Sequence, residues 1–538
     1  MSSVLFDTTT PAAHAQQNPP HLGPDAIELA NRSHHAAFVS GQESDPETLR
    51  AAGGTPTPEG IDPATIALVE DIPPDGGYGW VVTAAVFFIN VNTWGINSAW
   101  GVFMDMYMRE STFPEASEFE YALIGGLSVA LALILGPVIS AIQKTIGTRY
   151  TMLMGSGLVF AGLFAASAAS RVWHLFMSVG LAMGFGFGLL YIPAMGLLPP
   201  WFSRHRSLAV GIATAGAGGG IAWNLITNKL LHVTSLEWTW RILALVSVAC
   251  NIICAFLCRE RPITFSTAGV SKRRSFNIRD FGRTQVLLIL LWGFITEFGY
   301  ITLWYSLPSY ATSIGLTPSQ GSIVNALLSL GVGVGRPLVG ALSDRFGRIN
   351  LALLCCSSSA VLCLTLWILA RSYVGLIIFA LAVGAGGGCF WATVNPILAE
   401  TVSLAESSAI FGTICFALVI PTTFGEAIAL QLVKGGDGVN KFMPGQIFVG
   451  CTFLGGTALL MLLRSWQICE IERKAEGSGS GLHTDGHRRS GEETRTEDDL
   501  EEGVMASGRS AGVAVLGELR SSAAGMWSPR KLFVARRV

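Results

Sequence analysis

The chain repeats itself at a fixed offset of two hundred residues, and this repeat restricts its fold more than any other feature. Leu181-Ala-Met-Gly-Phe-Gly-Phe-Gly188 reads almost as Leu381-Ala-Val-Gly-Ala-Gly-Gly-Gly388, and the same offset pairs Pro137 with Pro337, Ala141 with Ala341 and Gly147 with Gly347. Gly211 finds its counterpart one residue out of step, at Gly412. Each half therefore carries the same order of hydrophobic spans, Gly-rich packing faces and short basic loops.

Half the residues are hydrophobic and 13% are charged, too few charges to cover the surface of a soluble chain of 538 residues. The apolar residues are bunched into stretches of about 20, the length that crosses roughly 30 Å of hydrocarbon. Spans are expected over 81–104, 121–142, 151–170, 174–199, 207–228 and 240–258, then over 284–306, 318–342, 349–370, 374–399, 406–433 and 444–464. The expected fold class is an all-α membrane protein of twelve transmembrane helices in two six-helix pseudo-repeats. Its parts are a disordered tail over 1–70, an N-terminal six-helix bundle over 71–258, a linker over 259–283, a C-terminal six-helix bundle over 284–465 and a second disordered tail over 466–538. Parallel repeats of six spans build a binding site at the midplane between two halves that rock, which implies a membrane carrier.

Lys and Arg concentrate in the loops after even-numbered spans, at Lys144, Arg149, Arg204, Arg206, Arg345 and Arg348, and in the stretch 259–283. The basic side faces the cytoplasm. Both tails then lie there, in a multi-pass protein expected at the plasma membrane. The basic central stretch reads as an orienting linker rather than a nucleic-acid site. Cys250, Cys254 and Cys258 recur every four residues inside a span, where small packing residues are the better reading than a metal set. The first tail holds nine acidic and two basic residues, and the second carries the run Glu497-Asp498-Asp499-Leu500-Glu501-Glu502. Both read as solvated chain.

Asp75-Gly76-Gly77-Tyr78-Gly79-Trp80 stands directly before the first span. An acid among three glycines makes a tight polar turn, and Tyr78 and Trp80 suit headgroup depth. A plain membrane-anchoring turn accounts for this composition, less well for its spacing. The element resembles the D/E-G-G/S-aromatic-G-W signature of the monocarboxylate porter family of the major facilitator superfamily. Thr93-Trp94-Gly95-Ile96-Asn97-Ser98-Ala99-Trp100-Gly101-Val102-Phe103 looks like the fungal branch of that family. Trp201-Phe202-Ser203-Arg204-His205-Arg206 is similar to the family's approach to span five, and Gly340-Ala341-Leu342-Ser343-Asp344-Arg345-Phe346-Gly347-Arg348 to the superfamily's loop after span eight. The resemblance covers about residues 71–465 and implies a facilitator-fold transporter of an organic acid or other small metabolite, working by alternating access. Asp344, Arg345, Gly347 and Arg348 then form a gating motif, whose charges pair across helix ends in one conformation and part in another. The first-half copy, Gln143-Lys144-Thr145-Ile146-Gly147, keeps the glycine and lacks the Asp.

Arg336 lies inside span eight, about 10 Å from its cytoplasmic end at about 1.5 Å per residue. A buried Arg there costs about 2.5–3.5 kcal/mol on insertion scales, so it faces a cavity or a partner; an Arg that snorkels to the interface is the competing reading. The resemblance implies that an Arg in this span binds the substrate carboxylate, and the substrate-binding set expected is Arg336, Asn97 and Ser98. Proton-coupled family members carry an Asp at the place of Val332 and a Lys at the place of Ser98. Without that pair, Glu297 in the middle of span seven is the proton-coupling candidate, with a structural pairing to Arg336 as the alternative. Asn90, Asn92, Asn224, Asn228 and Asn395 either line a path or bond helix to helix. Trp304, Tyr305, Phe390 and Trp391 either stack on a planar ligand or pack between helices.

No nucleophile–base pair, metal cluster or nucleotide fingerprint is present. The Gly clusters at Gly216–Gly220 and Gly331–Gly335 lack the strand and the Lys of a phosphate loop. An enzyme is not expected, and neither a cofactor nor a metal is called for. The partners implied are a small-molecule substrate, a carboxylate or other anionic metabolite, and the lipid bilayer, with no nucleic acid. Efflux of a fungal secondary metabolite competes with uptake of a nutrient acid. A non-transporting membrane receptor of the same fold is the alternative of another class.

Overall fold

A computed structural model describes residues 73–261, 282–402, 404–433 and 441–484. Every regular element among them is helical. Eleven helices are long and apolar enough to cross a membrane, and a bent pair makes up to twelve. In chain order they are α1 (Tyr78–Glu110), α2 (Phe119–Ile134 with Gly136–Ile146), α3 (Thr148–Ala166), α4 (Val172–Trp201), α5 (Arg206–Val233), α6 (Leu236–Leu257), α7 (Thr284–Ser313), α8 (Pro318–Phe346), α9 (Arg348–Trp367), α10 (Tyr373–Thr401), α11 (Leu404–Val433) and α12 (Met443–Thr484).

Local chemistry explains most of the ends. Ser117 with Glu120 and Thr317 with Gln320 form reciprocal caps that start α2 and α8, and Ser235 and Ser372 cap α6 and α10. Gly147 and Gly347, one repeat apart, end α2 and α8 at φ of 84° and 99°, a backbone region open to glycine. The next helix starts at once in both halves. Large apolar side chains such as Val138, Met154, Leu225, Val334 and Leu369 point outward, as they must where the solvent is lipid.

The structure departs from the sequence reading in three places. Helix α2 bends by 53° at Leu135, where Gly136 and Pro137 interrupt the ladder. Segments of α1, α4 and α9 wind as π-helix, at Val91–Gly95, Phe176–Met183 and Cys363–Trp367, which no residue pattern announces. Helix α12 continues through residues 466–484, which had been assigned to a tail without fold. Ile468 is buried there and Arg473 pairs with Glu470 at 2.8 Å, contacts that carry the helix past the last apolar span. The rest of the second tail, the first tail over 1–70 and most of the central linker lie outside the described residues.

The halves meet along α5 against α8 and α2 against α11. At each contact a Cβ in place of glycine would collide with backbone: at Gly211 with the carbonyl of Arg336, and at Gly136 with the carbonyl of Gly412. These four positions are the ones the repeat pairs, 136 with 336 and 211 with 412, so one symmetric contact is used twice. Small residues let the helices approach this closely. The apolar core runs continuously from Val82 and Leu190 through Phe390 to Leu463, joining the halves. A second core, around Tyr310, Trp367, Phe379 and Phe453, belongs to the second half alone.

Candidate functional site

Arg336 is 7% exposed, deep in α8. Its Nη1 donates to the carbonyl of Thr214 on α5, in the other half, at 2.7 Å. Its Nε is buried and has no hydrogen-bond partner among the described residues. Gly388 on α10 adjoins this side of the guanidinium without a side chain of its own: a Cβ there would stand 3.4 Å from Nε, 3.5 Å from Nη2 and 3.5 Å from the Tyr300 hydroxyl. The Nε–Nη2 edge of a guanidinium is one of the two forks that take a carboxylate with paired hydrogen bonds. The arginine therefore sits inward, without snorkelling to the interface.

Glu297 on α7 is 2% exposed and lies in the field of Arg336, with the Trp391 indole within hydrogen-bonding reach of its carboxyl group. Tyr300, one turn further along α7, places its phenol between Arg336 and Trp304. Tyr191 comes from α4 of the first half and feels both charges. Its ring is edge-on to Trp94 at 5.2 Å and to Trp391 at 6.2 Å, and tilted against Phe411 at 6.2 Å. One cation, one carboxyl group and two phenols thus sit inside an aromatic cage drawn from both halves. Asn395, one turn beyond Trp391, adds a buried Nδ2 with no hydrogen-bond partner among the described residues. Val332 is buried one turn before Arg336 and brings no charge.

Asn97 and Ser98 do not join this cluster. Asn97 Oδ1 accepts from Ser128 at 2.7 Å, and the Ser98 hydroxyl donates to the Gly95 carbonyl at 2.7 Å with Asn224 Oδ1 at 3.4 Å. Thr214 and Asn224 stand on the same helix, about 15 Å apart at 1.5 Å per residue. Ser98 therefore marks a different depth from Arg336. Trp391 and Phe390 face the cluster region, with Phe390 packed on Trp292 at 5.0 Å, whereas Tyr305 is half exposed. The side chain of Glu426, the acid in the outer half of α11, lies outside the described residues.

A second polar assembly closes the halves on the basic face. The Asp344 carboxylate accepts the Ser207 and Leu208 amides of α5 at 3.0 and 2.9 Å. Arg348 pairs with Glu400 and Asp344, and donates to the Ser203 carbonyl at 2.9 Å and the Ser207 hydroxyl at 3.1 Å. Arg345 takes no part in these bonds; its guanidinium lies 5.7 Å over the Phe346 ring. Gly347 supplies the turn between the two helices. In the first half Thr148 stands where the repeat would place Arg348, and bonds Glu260 and Gln143.

The signature before α1 reaches the same place. Asp75 Oδ1 accepts the amides of Ser203 and Arg204 at 2.7 Å and of His205 at 3.3 Å. Desolvation works to raise its pKa, but the three amides and nearby His205 outweigh it and hold the carboxyl below its ordinary value. Tyr78 donates to the Leu257 carbonyl at 2.8 Å, and Trp80 packs edge-on to Phe202 at 4.9 Å. Gly79 leaves room for Trp201 and Phe202, which a Cβ would crowd at 3.0–3.2 Å.

Sequence reasoning missed Tyr191, Tyr300, Glu400 and Glu260. The repeat itself holds the signal for the first, since 191 and 391 are partners at the offset and their rings meet. Glu400 and Glu260 stand at helix ends among ordinary loop charges, with nothing in their neighbours to mark them.

Residues 80–425 match the family model described as Major Facilitator Superfamily. The uncharacterized transporter ESBP6 of Saccharomyces cerevisiae is 33% identical over 407 residues, 74% of this chain and 60% of that protein. The probable transporter MCH2 of the same yeast is 32% identical over 411 residues, 74% of this chain and 85% of that one. Among solved structures, the proton:xylose symporter XylE bound to 6-bromo-6-deoxy-D-glucose superposes with a TM-score of 0.58 at 13% identity, over 71% of this chain and 95% of that one, a likeness of fold alone. The fold and these relatives are those of membrane transporters rather than enzymes, and the chain belongs to the Major Facilitator Superfamily.

Proposed function

We propose that this transporter carries an organic acid or other small anionic metabolite by alternating access, in the manner of the monocarboxylate porters its signature resembles. The observation that supports this reading most directly is buried Arg336, whose Nε has no hydrogen-bond partner among the described residues, inside a cage built from both halves. A carboxylate entering there takes the Nε–Nη2 edge with two charge-assisted hydrogen bonds. It then competes with Glu297 for the same positive charge. An unpaired carboxylate at that depth is costly, so Glu297 takes up a proton as the substrate settles and releases it when the substrate leaves. Asn97, Ser98 and Asn224 line the outer approach in this account. The basic face, carrying both termini, is the cytoplasmic one, and the membrane is the plasma membrane.

With the basic face latched, substrate reaches Arg336 from the opposite side. Opening of the basic face requires α8, α9 and α10, carrying Asp344, Arg348 and Glu400 in turn, to leave the start of α5. The α5–α8 and α2–α11 contacts are the surfaces on which the halves rock.

The test is uptake of a panel of organic acids into vesicles containing the purified protein, with and without an outward-acid pH gradient. Wild type is expected to accumulate its substrate about tenfold per pH unit, the equivalent of one proton at 1.36 kcal/mol. Glu297→Gln mimics the protonated carboxyl group; it should lose gradient-driven accumulation and retain exchange of substrate across the membrane. Full accumulation by Glu297→Gln would make that residue structural. No uptake of any acid, beside uptake of a neutral solute, would overturn the substrate class.

A further inference from the structure

We propose that Asp75 is the anchor of the basic-face gate, a positioning residue that holds the peptide between Ser203 and Arg204 where Arg348 must find it each time the gate closes. The proposal rests on the alternating-access reading above. It assigns to the turn before α1 a role beyond anchoring the chain at the membrane surface.

The geometry centres on one peptide group. Its N–H, that of Arg204, donates to Asp75 at 2.7 Å, and its carbonyl, that of Ser203, accepts from Arg348 at 2.9 Å. A single peptide dipole thus lies between a first-half carboxylate and a second-half guanidinium. Hydrogen bonds in series polarise one another, so the Asp75 charge strengthens the bond that Arg348 makes. The same short run also offers the Ser207 and Leu208 amides to Asp344, and Arg206 Nε fastens it internally by donating to the Phe202 carbonyl at 2.8 Å. Residues 202–208 therefore present both gating charges of the second half with their partners, and Asp75 fixes that run from the first half.

Two further observations separate this role from a plain turn. Asp75 is held at φ 52°, a left-handed conformation that glycine accepts more readily, although glycines occupy the next two positions. Asp is among the few other residues that tolerate this region, and the conformation goes with a carboxylate set on the 203–205 amides. The turn is also bolted to its own half, through the Tyr78 bond to Leu257 and the packing of Trp80 on Phe202. Asp75 accordingly stays with the 203–205 amides when the ends of α8, α9 and α10 withdraw, and the amides are already arrayed when they return. His205 stands 4.0 Å from Asp75 and is half exposed, a neighbour rather than the closing partner.

The experiment reads the ratio of closed to open basic face in the full chain in lipid nanodiscs. Spin labels at Tyr150→Cys and Phe346→Cys, exposed positions on the two halves, report the distance by double electron–electron resonance. The native cysteines that are not buried, Cys250, Cys451 and Cys469, are changed to serine. Asp75→Asn keeps an oxygen for the amides and removes the charge; it should shift the ratio about twofold to fourfold toward open, the weight of the polarisation that the Arg348 bond loses when the peptide no longer faces a carboxylate. In an Arg348→Ala background, Asp75→Asn should shift it no further, because the peptide then has no cation to hold. Asp75→Ser provides a second neutral acceptor, with the same expectation, should the first variant fail to assemble. An unchanged ratio in Asp75→Asn, or additive shifts with Arg348→Ala, overturns the proposal while leaving the gate intact. If neither Arg348→Ala nor Asp344→Asn moves the ratio, the gate reading itself fails, and the proposal with it.

Discussion

Arg336→Ala is expected to reduce flux of the anionic substrate at least about a hundredfold while the protein still inserts and purifies. Two effects add. The substrate loses a pair of charge-assisted hydrogen bonds, each worth about 1.5–3 kcal/mol. Glu297 also loses the nearby positive charge that favours its ionised form, so burial alone then sets its protonation. The second effect can be separated from the first. Arg336→Ala combined with Glu297→Gln removes the buried acid and should recover thermal stability without recovering flux. Arg336→Lys keeps the charge but lacks the planar fork, so it should recover only part of the activity. Transport in reconstituted vesicles alongside the melting temperature distinguishes these cases, and flux preserved in Arg336→Ala would remove that residue from the substrate's path.

Gly211→Leu should be nearly as damaging, although it touches neither charge. A Cβ at this position already collides with the carbonyl of Arg336 and crowds Pro337, both backbone features of α8. The neighbours cannot yield as a flexible side chain would. Overpacking of this kind costs about 1–3 kcal/mol, and here the cost falls only on the conformation in which α5 and α8 meet. The closed basic face should lose roughly tenfold to a hundredfold in population, visible in the distance between labels at Tyr150→Cys and Phe346→Cys. Net flux should fall with it because one half of the cycle is lost. Gly136→Leu tests the symmetric contact against Gly412 and should act in the same direction. A variant at Gly211 that cycles normally would show that the α5–α8 contact is looser than the structure has it.

The repeat explains why so much of this fold is legible in the residues. The offset that pairs Pro137 with Pro337 and Gly211 with Gly412 marked the stretches of α2, α5, α8 and α11 that meet between the halves, and the coordinates supplied the contacts themselves. Gly147 and Gly347 marked the turns that launch α3 and α9 through a backbone angle that glycine adopts freely. Arg336 and Glu297 stood out because charge inside an apolar span is expensive. The rest was hidden where a residue's type is common and only its tertiary neighbours are unusual. Tyr300 is one aromatic residue among many in α7, and nothing nearby tells that its phenol faces a guanidinium. Asn97 and Ser98 were grouped with Arg336 by family position, whereas the winding of α1 and α5 sets them at another depth. Arg345 was grouped with Arg348 by the family motif, but Arg345 stands in the last turn of α8 and Arg348 opens α9 beyond the Gly347 turn, so the two guanidinium groups face different surroundings. The bend in α2 had its local cause in Gly136-Pro137, whereas the π-helical segments depend on packing between helices, which no window of sequence contains.

The central claim is that a carboxylate is bound by Arg336 within the cage between the halves. Its most direct measurement is equilibrium binding, by calorimetry on the purified protein, of the transported acid and of its primary amide, which has nearly the same shape and no charge. The account predicts that wild type binds the acid at least about a hundredfold more tightly than the amide, the weight of two charge-assisted hydrogen bonds over neutral ones, and that Arg336→Ala binds both equally weakly. Equal affinity of wild type for acid and amide, or an acid affinity unchanged by Arg336→Ala, would contradict it.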